Sequence, residues 1–181
     1  MKIGIYYRYK WNGKIEYAVV NKGTGGSGFF KTASDWANNI QQPAGASDDM
    51  EDSIKFAKQF DKAHLKEEVT MIGHSKGGAE AAANAVATNR NAILFNPAAV
   101  SLELYGLKAS SYYAKMTAYV VRGEALDQAF GSGSEPIGKK VYLPIQYPVN
   151  YKWNVFKNIS NSIKNHSMES VIKALKKVGF K

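Results

Sequence analysis

The chain has no cysteine, so neither a disulfide framework nor thiolate chemistry is open to it, and the redox compartment stays unfixed. It also lacks any apolar run of transmembrane length. The opening Met1-Lys2-Ile3-Gly4-Ile5-Tyr6-Tyr7-Arg8 has too short an apolar stretch, and too early a charge, for a cleavable secretory signal peptide. These absences lead to an expected location that is cytoplasmic, or exported by a non-Sec route. Internal repeats and domain linkers are missing too, so the 181 residues predict a single domain, 1–181. With 45% hydrophobic and 22% charged residues, the composition is that of an ordinary globular protein.

Charge is present but uneven. The formal net charge is +9, and residues 139–181 hold nine lysines against the single acid Glu169. The first 138 residues are close to neutral. A basic C-terminal quarter attracts an anionic membrane surface, nucleic acid or an acidic partner, or serves as solubilising lysines on exposed helix faces. Nothing in the chain resembles a nucleic-acid fold, so no nucleic-acid partner is expected.

The most informative stretch is Val69-Thr70-Met71-Ile72-Gly73-His74-Ser75-Lys76-Gly77-Gly78. Its apolar, β-branched start predicts a buried strand. The run Ala79-Glu80-Ala81-Ala82-Ala83-Asn84-Ala85-Val86-Ala87 that follows predicts a helix. Gly73-His74-Ser75-Lys76-Gly77 at the join is therefore a G-x-S-x-G nucleophile elbow in the context it requires. A serine hydroxyl is a weak nucleophile, so it must stand on a sharp corner within reach of a base. The helix starting there turns its free N–H groups toward a developing oxyanion, and the N–H of Lys76 is the first expected donor.

Around the elbow, Ile3–Tyr9 and Ile15–Asn21 read as strands joined by a turn at Trp11-Asn12-Gly13-Lys14, which carries an Asn-Gly hairpin signal. Lys22-Gly23-Thr24-Gly25-Gly26-Ser27-Gly28 is a glycine-rich loop without the Lys-Ser/Thr ending of a P-loop. Its place after a strand suits a second oxyanion donor better than nucleotide binding. Residues 33–42 read as a short helix. Ser47 caps an amphipathic helix with Met50, Ile54, Ala57 and Phe60 on one face. Ala92–Phe95 and Thr117–Val121 are further strands, and strands alternating with helices predict a mostly parallel sheet covered on both faces. Residues 131–156 are aromatic and irregular, fit to line an acyl pocket, rest on a membrane or cover the sheet. A final helix over about 167–177 should bury Met168, Val171, Ile172 and Leu175.

Only three histidines compete for the role of base. His74, next to the serine, is expected to point elsewhere as a packed or hydrogen-bonded residue. His64 ends the amphipathic helix, an ordinary place for a cation. His166 alone allows the order serine, acid, histidine, and it is expected in a loop ahead of the last helix. The acid should follow a strand between 75 and 166; Glu124 is preferred for its place at the strand end, with Asp127 in reserve.

Taken together these segments resemble the class 3 lipase family, in its compact bacterial branch. Lys22-Gly23-Thr24 is similar to that family's Arg-Gly-Thr, and Asp35-Trp36-Ala37-Asn38-Asn39 to its Asp-Trp-x-x-Asn. Gly73–Gly78 resembles its elbow, with Lys76 where Leu is usual. Phe95-Asn96-Pro97-Ala98, Arg122-Gly123-Glu124-Ala125-Leu126 and His166-Ser167-Met168 resemble its later motifs, with Glu124 where Asp is usual. The resemblance spans roughly residues 15–175. It implies an α/β-hydrolase fold and hydrolysis of lipid carboxylic esters without a metal or other cofactor. Ser75, His166 and Glu124 or Asp127 would form the catalytic set, with Thr24 joining Lys76 in the oxyanion hole. Another serine hydrolase class, an acyltransferase or an inactive basic binding module are the competing readings.

Overall fold

The computed structural model describes residues 2–23, 47–126, 138–149 and 155–180. Among these residues, six strands form one sheet in the order β1 to β6: Ile3–Tyr9, Ile15–Asn21, Glu68–His74, Asn91–Phe95, Met116–Val121 and Lys139–Leu143. β1 and β2 pair antiparallel, and every later neighbour is parallel. The hairpin turn places Gly13 at φ 75°, the left-handed conformation that glycine admits, and the Asn12 side chain accepts from the N–H of Lys14.

Among the described residues, four α-helices accompany the sheet: α1 (Asp48–Ala63), α2 (Lys76–Thr88), α3 (Val155–His166) and α4 (Met168–Lys177). α1 begins where Ser47 accepts from the N–H of Met50, and it buries Met50, Ile54 and Ala57. α2 is buried on nearly all sides, which its alanines permit, and packs against β3, β4 and α1. Val19, Met71 and Leu94 meet these two helices on one face of the sheet. On the other face, Val121 and Leu143 pack against Val171 and Ala174 of α4. The architecture is α/β with helices on both faces of a mostly parallel sheet.

Three expectations change. Residues 139–143 form β6 inside the stretch read as irregular. His166 is the last residue of α3 rather than part of a loop. α4 buries Ser170, Val171 and Ala174, while Ile172 is exposed. Thr24, Asp127, Tyr151, Trp153, the motif at 35–39 and the helix read at 33–42 lie outside the described residues. Among the described residues, no helix is long and apolar enough to cross a membrane.

Candidate active site

β3 runs into α2 through Ser75, whose φ of 58° and ψ of −127° are strained for a residue with a side chain. The glycines make this corner possible. A Cβ on Gly73 would stand 1.9 Å from the carbonyl oxygen of Gly77, and one on Gly77 would stand 2.3 Å from that of Asn21. Ser75 spends no side-chain hydrogen bond on capping its own helix. Its carbonyl instead accepts from the N–H groups of Gly78, Ala79 and Ala98. The corner is thereby fixed by backbone. Lys76 turns its ammonium to Asp49, with Nζ–Oδ2 at 3.1 Å. As the first helical residue it has no intrahelical acceptor for its N–H.

His166 lies at the same end of the sheet. The end of β4 holds its main chain: the Asn96 amide donates to the carbonyls of Asn165 and His166 and accepts from the N–H of Val121. Asn96 sits at φ 39°, a left-handed conformation that asparagine tolerates. The end of β3 contributes His74, whose Nε2–H donates to the His166 carbonyl at 2.6 Å. The two imidazoles are tilted against each other, with ring centroids 4.9 Å apart. Burial, and then the neighbouring His166, push His74 down to about 4, so it is neutral at physiological pH.

Three residues beyond β5 stands Glu124, almost wholly buried, and its Oε2 meets Nδ1 of His166 at 2.7 Å. The same oxygen accepts from the N–H of Leu126. A carboxylate so placed accepts a hydrogen bond from Nδ1–H, which keeps that proton on Nδ1 and leaves Nε2 the basic nitrogen of the ring. Of the two acids considered, Glu124 is the one on His166; Asp127 is outside the described residues. His64 is remote in role. It caps α1, bonds through Nδ1 to the Phe60 carbonyl and stacks on the Phe60 ring.

A profile of the Tle-like phospholipase domain matches residues 2–142, more than three quarters of the chain. The chain belongs to this phospholipase-like family. No curated protein matches it. The family relationship covers the elbow and Glu124, while His166 and α4 lie beyond the matched span. It establishes a phospholipase- or lipase-like relationship, coarser than the class 3 assignment that the motifs resemble. Tle-like membership points to a lipid ester as substrate.

Three buried asparagines escaped sequence reasoning. Asn96 stood only as part of the Phe95-Asn96-Pro97-Ala98 motif, with no partner assigned. Asn165 bonds the backbone of Gln146, Tyr147 and Gly123, and so ties α3 to the two preceding loops. Asn21, at the end of β2, donates to Ser53 and to Glu80 and accepts from Asn84, all of them buried. Burial raises the Glu80 carboxyl above its ordinary range, favouring the neutral form there. An amide next to a strand end was the one signal available, and it does not name its partner.

Proposed function

We propose that this protein is a serine hydrolase that cleaves carboxylic esters of lipids on an α/β-hydrolase fold. Ser75 Oγ attacks the ester carbonyl while Nε2 of His166 takes its proton. The N–H of Lys76 holds the oxyanion from the start of α2, with Thr24 as second donor. As the tetrahedral intermediate collapses, the C–O bond breaks and His166 returns the proton to the leaving alcohol. Water then attacks the acyl-enzyme by the same route and releases the fatty acid. Glu124 keeps the imidazole in the required tautomer and stabilises the imidazolium. No metal or other cofactor enters these steps.

The observation that carries this reading is the buried Glu124–His166 contact at 2.7 Å, at the sheet end where Ser75 makes its strained corner. Tle-like membership favours a phospholipid. The C-terminal lysines favour an anionic lipid surface over neutral triglyceride. A fluorophosphonate probe should label the protein at Ser75, and phospholipid vesicles should release fatty acid. Both signals should vanish in Ser75→Ala. A folded protein that resists labelling overturns the proposal.

A further inference from the structure

A groove of about 520 Å³ crosses the sheet face opposite α1 and α2. Gly4, Tyr6, Val20, Ile72, Phe95 and Met168 line it. Register explains how they meet: Gly4 pairs with Val20 and Val20 with Ile72, which puts all three side-chain positions on one face. From β1 to β4 the groove spans three strand spacings, about 14 Å. Parallel sheets are normally covered on both faces. Here α1 and α2 occupy the other face and α4 packs on β5 and β6, so the described helices leave this strip open. Val20, Ile72 and Phe95 are accordingly only half-buried.

Apart from the Tyr6 hydroxyl, the polar side chains of this lining gather at one end. Lys2 and Lys22 stand there side by side, joined by a backbone hydrogen bond of 2.9 Å from the Lys22 N–H. No carboxylate lines the groove among the described residues. His74, also at this end, is neutral at physiological pH and adds no charge. The ligand that complements an apolar trough with cations at its mouth is an amphiphile with an anionic head. Gly23 connects this mouth to the nucleophile. A Cβ added to it would lie 3.5 Å from Cβ of Ser75 and 2.7 Å from the His74 carbonyl oxygen. One glycine therefore separates the groove from the serine.

We infer that the groove binds a medium-length fatty acyl chain, carboxyl end toward Lys2, Lys22 and Gly23 and tail toward Tyr6. As the substrate's acyl site it rests on the hydrolase reading above; as a fatty-acid site it stands without turnover. The test uses both aspects. In Ser75→Ala, where nothing is hydrolysed, a fluorescent polyene fatty acid should bind at one molecule per chain and be displaced by decanoate. Ile72→Trp, which fills the trough, should weaken binding at least tenfold. Gly4→Leu should act in the same direction, its added Cβ meeting only the Tyr6 ring at 3.1 Å. The double change Lys2→Glu, Lys22→Glu should weaken decanoate but not decanol. With Ser75 intact, Ile72→Trp should shift the preferred p-nitrophenyl ester from decanoyl toward butyryl.

Probe affinity unchanged in folded Ile72→Trp and Gly4→Leu overturns the inference. So does a dimer that Gly4→Leu dissolves in a protein that binds no probe, which assigns the face to a second copy. A protein that hydrolyses no ester yet loses probe binding on Ile72→Trp overturns the hydrolase reading and leaves the groove's ligand intact.

Discussion

His74 offers a direct test of how tightly the elbow and α3 are joined. The group is held down to about 4 in the fold, against an ordinary 6.5. Between those values the unfolded chain binds the proton and the native protein does not, so stability rises with pH. The contribution is complete above about pH 6.5 and is lost as pH falls toward about 4. Its full size is about 3 kcal/mol, and about 2 kcal/mol of it should be gone at pH 5, taking about 1.4 kcal/mol per pH unit. Glu80 works against it. Its carboxyl is raised by burial, so it contributes stability below its ordinary 4.5 that disappears as pH climbs through the raised value. The raw pH profile therefore mixes two opposite slopes, and a variant must separate them. His74→Gln keeps an N–H donor for the His166 carbonyl and removes the titration. Urea denaturation at pH 7 and pH 5 should show the variant losing about 2 kcal/mol less than the parent between the two conditions. Parallel losses in both proteins would refute the claim that His74 is buried and neutral against α3.

Three other changes bear on the acid and on the corner. Glu124→Gln should keep the fold but drop kcat roughly 10³- to 10⁴-fold with KM little altered, because the amide no longer enforces the imidazole tautomer. Asp127→Asn should leave ester turnover near the parent value; turnover lost in Asp127→Asn and kept in Glu124→Gln would move the acid to 127. Gly77→Ala puts a methyl 2.3 Å from the Asn21 carbonyl, backbone against backbone, so the end of β2 must move. A loss of about 1–3 kcal/mol is expected, read as a lowered Tm together with reduced turnover. An unchanged Tm would mean that the corner is looser than its geometry implies.

The first five strands were legible because Val, Ile and Tyr runs ended at glycine, asparagine or proline signals. β6 was not, since Lys139-Lys140-Val141-Tyr142-Leu143 opens with two lysines and only Leu143 among its side chains is buried. α3 was hidden for a different reason. Among its described side chains, Asn158, Ser162, Asn165 and His166 are buried while Ile159 is exposed, so much of the face it buries is polar and does not read as core. Asparagine and serine are also poor helix formers. The end of the helix is held by tertiary bonds to residues as much as about ninety positions away, such as His74 to His166. His166 itself was found by elimination among three histidines, so its identity came without its surroundings.

Those surroundings show what holds His166 at this end of the sheet. The His166 carbonyl is gripped from the end of β3 by His74 and from the end of β4 by Asn96. Its ring is gripped from beyond the end of β5 by Glu124. In a parallel sheet the carboxyl ends of consecutive strands lie along one edge, so three neighbouring strand ends can converge on a single residue. The imidazole is thus located by the order of the strands rather than by the chain between Glu124 and α3. A sequence that preserves the elbow, the Asn after β4 and the acid after β5 has already specified where its histidine must arrive. The length and character of the intervening segment are then free to vary, and with them whatever that segment recognises.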